Sequence, residues 1–134
     1  MKRKWNERGS AVMEAALVLP VFCILLVGVL EFGRVLMIQQ SLTNAAREAG
    51  RVAAISLDDT KALSSADQIA KNFLSRTGIN LQRITVQPIF ATVSGTSAVQ
   101  VEIHYSYDSL LANWVPGIGH TLDLQSRVIM RREA

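Results

Sequence analysis

The sequence predicts an α+β fold carried on a membrane anchor, and three patterns predict it. Residues from about Ala11 to Ala54 sustain a helical signal, first as an uncharged apolar run and then as a one-faced stripe. A second amphipathic helix precedes Gly78, and from Arg83 the apolar period shortens to that of a strand. The arrangement expected is a long N-terminal transmembrane and stalk helix, a short second helix, and a three-stranded antiparallel sheet that the helices cover on its apolar face. With 134 residues there is room for one domain. Once the anchor is set aside, about 100 residues remain, enough for a modest core only.

Ala15 to Leu30 contains no charge. At about 1.5 Å per residue, Ser10 to Leu30 extends roughly 31 Å, close to the ~30 Å hydrocarbon thickness of a bilayer. Lys2, Arg3, Lys4 and Arg8 precede this run against Glu7 alone, whereas Glu31 and Arg34 on the far side cancel. The positive-inside rule then places Met1 in the cytoplasm and the residues after about Glu31 outside. A cleaved secretory signal is the rival reading. Its apolar core is shorter and ends in a small-x-small site, but this run ends in Glu31-Phe32-Gly33-Arg34.

The charge balance follows from that topology. The chain has 14 basic and 11 acidic residues, and setting aside Met1 to Gly9 leaves ten of each. The basic excess is a topology signal; no basic stripe with interleaved aromatics exists, so nucleic acid is not an expected partner. The single cysteine, Cys23, sits in the apolar run and is expected to behave as a small hydrophobe.

Glu14 is the anomaly, because a carboxylate in a membrane segment is costly and by default functional. The plainer reading is that it reaches the headgroups from the first turn. Gly9 stands five residues before it, with the basic stretch upstream. At these residues the chain resembles the type IV pilin superfamily, in which prepilin peptidase cuts after the Gly of a Gly-x4-Glu pattern. More narrowly it resembles the TadE-like family of pseudopilins from tight-adherence (Tad, Flp) pilus systems. Arg8-Gly9-Ser10-Ala11-Val12-Met13-Glu14-Ala15-Ala16-Leu17-Val18-Leu19-Pro20, Glu31-Phe32-Gly33-Arg34 and Asn44-Ala45-Ala46-Arg47-Glu48-Ala49-Gly50-Arg51-Val52-Ala53 carry the likeness. It is dense from about 8 to 54 and loose beyond.

The resemblance implies a division into a basic leader, 1–9, removed by cleavage between Gly9 and Ser10; a transmembrane helix, 10–30; and an extracytoplasmic part, 31–134. It implies that Glu14 neutralises the new Ser10 ammonium during subunit assembly. The implied partners are the membrane, prepilin peptidase, other pilins and pseudopilins, and the inner-membrane pilus platform with its ATPase. The implied location is the bacterial inner membrane, with the C-terminal domain outside and incorporation into a pilus as one fate. No enzymatic activity and no cofactor is expected.

Within the long helix, Pro20 removes one backbone donor and is expected to kink the span, which neighbouring helices would tolerate. Glu31 and Arg34 are spaced to pair at the membrane exit. Beyond them Val35, Leu36, Ile38, Leu42, Ala45, Ala46, Ala49, Val52 and Ala53 form the apolar stripe. Its small residues suit either the chain's own core or a close partner, and Gly33 and Gly50 are candidate bends. The leader, Met1 to Gly9, is expected to lack regular structure.

After the polar break at Ser56 to Thr60, the second helix is expected by Ser65, where Ser65-x-x-Gln68 reads as a capping box, or from near Thr60; Gly78 ends it. Strands are expected over Arg83 to Val93, Ala98 to Asp108 and Thr121 to Arg131. Pro88 marks the first as an edge or a bulge, and Ser94-Gly95-Thr96-Ser97 is a turn.

His104, Ser106 and Asp108 share one strand face. A catalytic triad would need a nucleophile on a strained turn with oxyanion donors, so alternation alone explains them as a solvated face. No Cys, His or carboxylate spacing suits a metal, and no phosphate-binding loop is present. Leu110 to Gly119 is apolar and rich in breakers, with Leu110, Leu111, Trp114 and Ile118 its largest apolar side chains. It is expected to fold back over the sheet edge or to stand as an interface for a partner subunit, together with Pro20, Glu31 and Arg34.

The function expected is that of a structural minor component in assembly of a tight-adherence pilus or related secretion machine. The alternative is an uncleaved single-pass scaffold, or an envelope-binding protein, with no pilus role.

Overall fold

The computed structural model describes residues 5–113 and 119–132. Helix α1 runs without interruption over Trp5–Ile55, and helix α2 over Asp59–Arg76. Strands β1 (Ile84–Val93), β2 (Thr96–Asp108) and β3 (Thr121–Arg131) form one antiparallel sheet in the order β1-β2-β3. This is the expected α+β architecture. The second half of α1 packs on β2 and β3, and α2 lies beside it against β1.

The sheet's inner face is built by alternation. Ile84, Val86 and Phe90 of β1 face inward with Val99, Val101, Ile103, Tyr105 and Tyr107 of β2 and Leu124, Val128 and Met130 of β3, as the register requires. Val99, Val101 and Ile103 are fully buried, and burying a side chain of this size stabilises a fold by about 1.5–3 kcal/mol. β1 pairs with β2 in unbroken register, so Pro88 marks an edge and not a bulge. Ser94 and Gly95 both have positive φ and close a two-residue hairpin, tighter than the four-residue turn expected.

The helices approach each other through alanines. Ala45, Ala46, Ala49 and Ala53 of α1 and Ala62, Ala66 and Ala70 of α2 are all fully buried. The small-residue stripe therefore serves the chain's own core. Gly50 is not a bend: α1 continues through it, and the place of its missing Cβ lies 3.4 Å from Met130 Cγ and 3.8 Å from Val101 Cγ2. α1 continues through Gly33 in the same way.

Of the two helix starts, that of α2 falls at the earlier of the two positions expected, near Thr60, and that of α1 differs. α2 begins at Asp59, capped by Asp58, whose Oδ1 accepts the Thr60 and Lys61 N–H groups at 3.0 and 3.3 Å. Ser65 is thus inside the helix; a cap competes with every upstream cap, and Asp58 gains the extra turn that buries Ala62. At the other end, residues 5–9, expected to be irregular, are the first turns of α1. Extending a helix already nucleated needs only one residue at a time, and nothing in Trp5 to Gly9 breaks it. At Gly78 (φ 73°) α2 stops as expected.

Arg132 fastens the end of the chain to the α1–α2 turn. Its guanidinium donates to Asp59 Oδ1 at 2.7 Å and to the Ser56 carbonyl at 2.9 Å, and lies 5.0 Å from the centre of the Phe90 ring.

Candidate functional site

From Ser10 to Leu30 every residue of α1 is exposed except the half-buried Gly28. The helix is long and apolar enough to cross a membrane, and only 6% of its apolar window is buried. A core helix of this length would be covered by its own fold; this one is apolar all round and bare, the condition of a lipid-facing span.

Gly9 and Ser10 lie exposed near the start of α1, and a Cβ at Gly9 would meet nothing within 4 Å. Ser10 and Glu14 are four apart, hence on one face of the helix. Glu14 is exposed at the N-terminal end of the apolar run. α1 continues through Pro20, whose missing N–H leaves the Ala16 carbonyl without its usual donor.

At the other end of the span Glu31 is 6% exposed. Its two carboxylate oxygens accept the Leu110 backbone N–H at 2.8 and 3.1 Å. This replaces the expected Glu31–Arg34 pair, which is absent among the described residues. Arg34 instead lines an open cleft of about 310 Å³ with Arg83, Tyr105, Tyr107 and Asp108. Arg83 is ion-paired with Asp108, which raises its pKa, and Tyr107 Oη has no hydrogen-bond partner among the described residues. Burial pushes the Tyr107 pKa up; the Glu31 carboxylate adds to the rise and Arg34 opposes it.

The segment after β2 does not turn over the sheet edge at its start. Its short 3-10 turn, Leu111–Asn113, packs on α1, and Leu111 lines an apolar cleft of about 300 Å³ with Pro20, Cys23, Ile24 and Val27. Leu110 is half-exposed beside it. Thus Pro20, Glu31, Leu110 and Leu111 belong to one seam along α1. Trp114 and Ile118, expected in the same interface, lie outside the described residues.

A sequence signal for this seam existed. Pro20, Ile24, Val27, Glu31, Val35, Ile38, Leu42, Ala45, Ala49 and Ala53 follow one another at helical spacing, so a carboxylate stands on an otherwise apolar stripe and needs a donor. That the donor would be the Leu110 amide had no local signature.

On the outer sheet face, His104, Ser106 and Asp108 are engaged separately. Ser106 Oγ donates to Asp123 at 2.9 Å, Asp108 pairs with Arg83, and His104 Nε2 lies 3.2 Å from Glu102. Glu102 also accepts from Arg127 at 3.2 Å, and the Arg127 hydrogen bond holds its carboxyl below the usual glutamate range against the opposing effect of desolvation. Among the described residues no group of three or more His, Cys, Asp or Glu side chains could hold a metal.

The family model described as TadE-like protein matches residues 9–51. The matched segment contains Gly9, Ser10, Glu14, Pro20, Glu31 and Arg34 and ends one turn before the end of α1. No curated protein and no solved structure matches the chain.

Proposed function

We propose that this chain, TadE-like over residues 9–51, is a pseudopilin: a minor structural subunit in assembly of a Tad-type pilus or related secretion machine at the bacterial inner membrane. The observation that carries the reading is the bare apolar half of α1, with one carboxylate, Glu14, five residues after Gly9. The chain acts by assembly and not by catalysis. Its N-terminus is cytoplasmic and its sheet domain extracytoplasmic.

Prepilin peptidase cuts between Gly9 and Ser10, removing all four basic side chains that precede the apolar run, Lys2, Arg3, Lys4 and Arg8. The new Ser10 ammonium and Glu14 then lie within one turn, on one subunit or across two. An uncompensated acidic group costs about 2.5–3.5 kcal/mol at the bilayer centre and less toward the edge. A unit-charge pair at 4 Å gains about 4 kcal/mol at an effective dielectric of 20, enough to offset that cost. The neutralised helix can pack among other pilin helices or remain as an anchor for the inner-membrane platform.

Intact mass and N-terminal sequencing of the protein recovered from its native membrane test this. A chain beginning at Ser10, and intact Met1 in Gly9→Val, is the expected result. Because nothing crowds a side chain at Gly9, loss of processing in Gly9→Val reports recognition by the peptidase and not misfolding. A wild-type chain that keeps Met1, with indifference to Glu14→Ala, overturns the reading in favour of an uncleaved scaffold.

A further inference from the structure

We propose that the 3-10 turn after β2, Leu111–Asn113, makes a second membrane contact, a foot whose Leu111 seats among phospholipid acyl chains against the Pro20–Val27 face of α1. The inference rests on α1 spanning the membrane, and it adds a site beyond the span itself.

Depth carries the argument. Val27 lies three residues before Leu30 and Pro20 ten, about 5 and 15 Å down the helix axis. The hydrocarbon core is ~30 Å thick, so the cleft that Leu111 shares with Pro20, Cys23, Ile24 and Val27 lies in the half of the bilayer nearest the domain. The foot reaches that depth from the domain side. The Ser109 N–H donates to the His120 carbonyl at 3.0 Å, so the end of β2 and the start of β3 are held together at the level of the sheet.

Chemistry agrees with the depth. A backbone N–H without a partner is costly in hydrocarbon, and Glu31 supplies the acceptor for Leu110 where the chain enters. Every residue lining the cleft is apolar or a cysteine. The occupant is lipid, not a protein with a complementary face, because α1 is equally apolar on its other sides: Val21, Phe22, Leu25 and Leu26 are exposed as well.

The test uses the full chain in phosphatidylethanolamine–phosphatidylglycerol vesicles. In a Cys23→Ser background, single nitroxide labels are placed at Leu111→Cys and Ala112→Cys, with Val18→Cys in the span and Ser94→Cys at the hairpin tip as references. Collision with oxygen and with a water-soluble nickel complex is compared at each. The expected result is an oxygen-to-nickel ratio at Leu111→Cys and Ala112→Cys several-fold above that at Ser94→Cys and near that at Val18→Cys. A ratio equal to that at the hairpin tip overturns the proposal, and so does exclusion of both reagents, which would show a second copy covering the foot. If Val18→Cys is itself water-like, the anchor reading has failed, and the foot with it. With Cys23 retained, Leu111→Cys should form an intrachain disulfide on oxidation by copper phenanthroline. A crosslink between chains, or none, overturns the placement.

Discussion

The Glu31 carboxylate and the Leu110 amide join residues 79 apart in sequence, at 2.8 and 3.1 Å, at the level where the span leaves its apolar run. This contact links the membrane helix to the end of the central strand. Removing the acceptor strands a part-buried donor, which costs about 1–3 kcal/mol. Glu31→Leu should therefore destabilise the domain by that amount in detergent unfolding and accelerate exchange of the Leu110 amide. Glu31→Gln keeps a carbonyl acceptor and should recover most of the loss. Equal effects of the two would refute the hydrogen bond as the cause.

Gly50 separates helix propensity from packing. The place of its missing Cβ touches Met130 at ordinary contact distance, so a methyl group fits. Gly50→Ala should leave stability unchanged or raise it by up to about 1 kcal/mol, the helix-propensity difference. Gly50→Leu would wedge α1 from the sheet and should cost about 1–3 kcal/mol. Thermal melts of the two variants check both signs.

The boundaries of α2 show where local sequence is ambiguous. Asp58 is the observed cap and Ser65 an interior residue, so Asp58→Ala should cost ~1 kcal/mol. Ser65→Ala should shift stability by no more than about 0.5 kcal/mol. A urea series on both variants distinguishes them; a larger effect at Ser65 would contradict the helix start.

Period was the readable quantity in this chain. The alternation of Val99, Val101, Ile103, Tyr105 and Tyr107 fixes the face of β2, and the unbroken stripe through Leu42 and Ala49 fixes the face of α1. Both follow from geometry that repeats every few residues. The uncharged run was legible from composition, and the meaning of the Gly9–Glu14 spacing only from the resemblance to the pilin superfamily. Contacts set by the path of a loop were not. The Glu31–Leu110 bond, the seat of Leu111 beside Ile24 and the Arg132–Asp59 bond each join residues more than 70 apart, and no local pattern encodes them. Between the expected helix starts at Ser65 and near Thr60, the buried Ala62 decided, which needs the tertiary fold.

Glu102 should make the sheet acid-sensitive. Its folded pKa is lowered chiefly by Arg127, so between the folded and the ordinary value of 4.5 the unfolded chain binds more protons. The stabilisation is fully present above pH 4.5 and is lost as pH falls through the folded value. Arg127→Gln removes the cause and should flatten the acid limb of a melting-temperature-against-pH curve. An unchanged acid limb would assign the sensitivity elsewhere.

Tyr107 gives the opposite sign at the alkaline end. Its hydroxyl is buried without a partner among the described residues, and its pKa is raised from 10.0, first by burial and then by Glu31. Above pH 10 the unfolded chain loses that proton while the folded chain keeps it, so stability falls as pH rises through the folded value. Tyr107→Phe keeps the ring and deletes the unpaired group, whose desolvation costs about 1–3 kcal/mol. The variant should be at least as stable as the parent at pH 7, by roughly 1 kcal/mol in its favour, and should lose less stability between pH 9 and about 11. A destabilised Tyr107→Phe would mean that the hydroxyl has a partner, and since Arg34 lines the same cleft, an Arg34→Gln variant with the same loss would identify it.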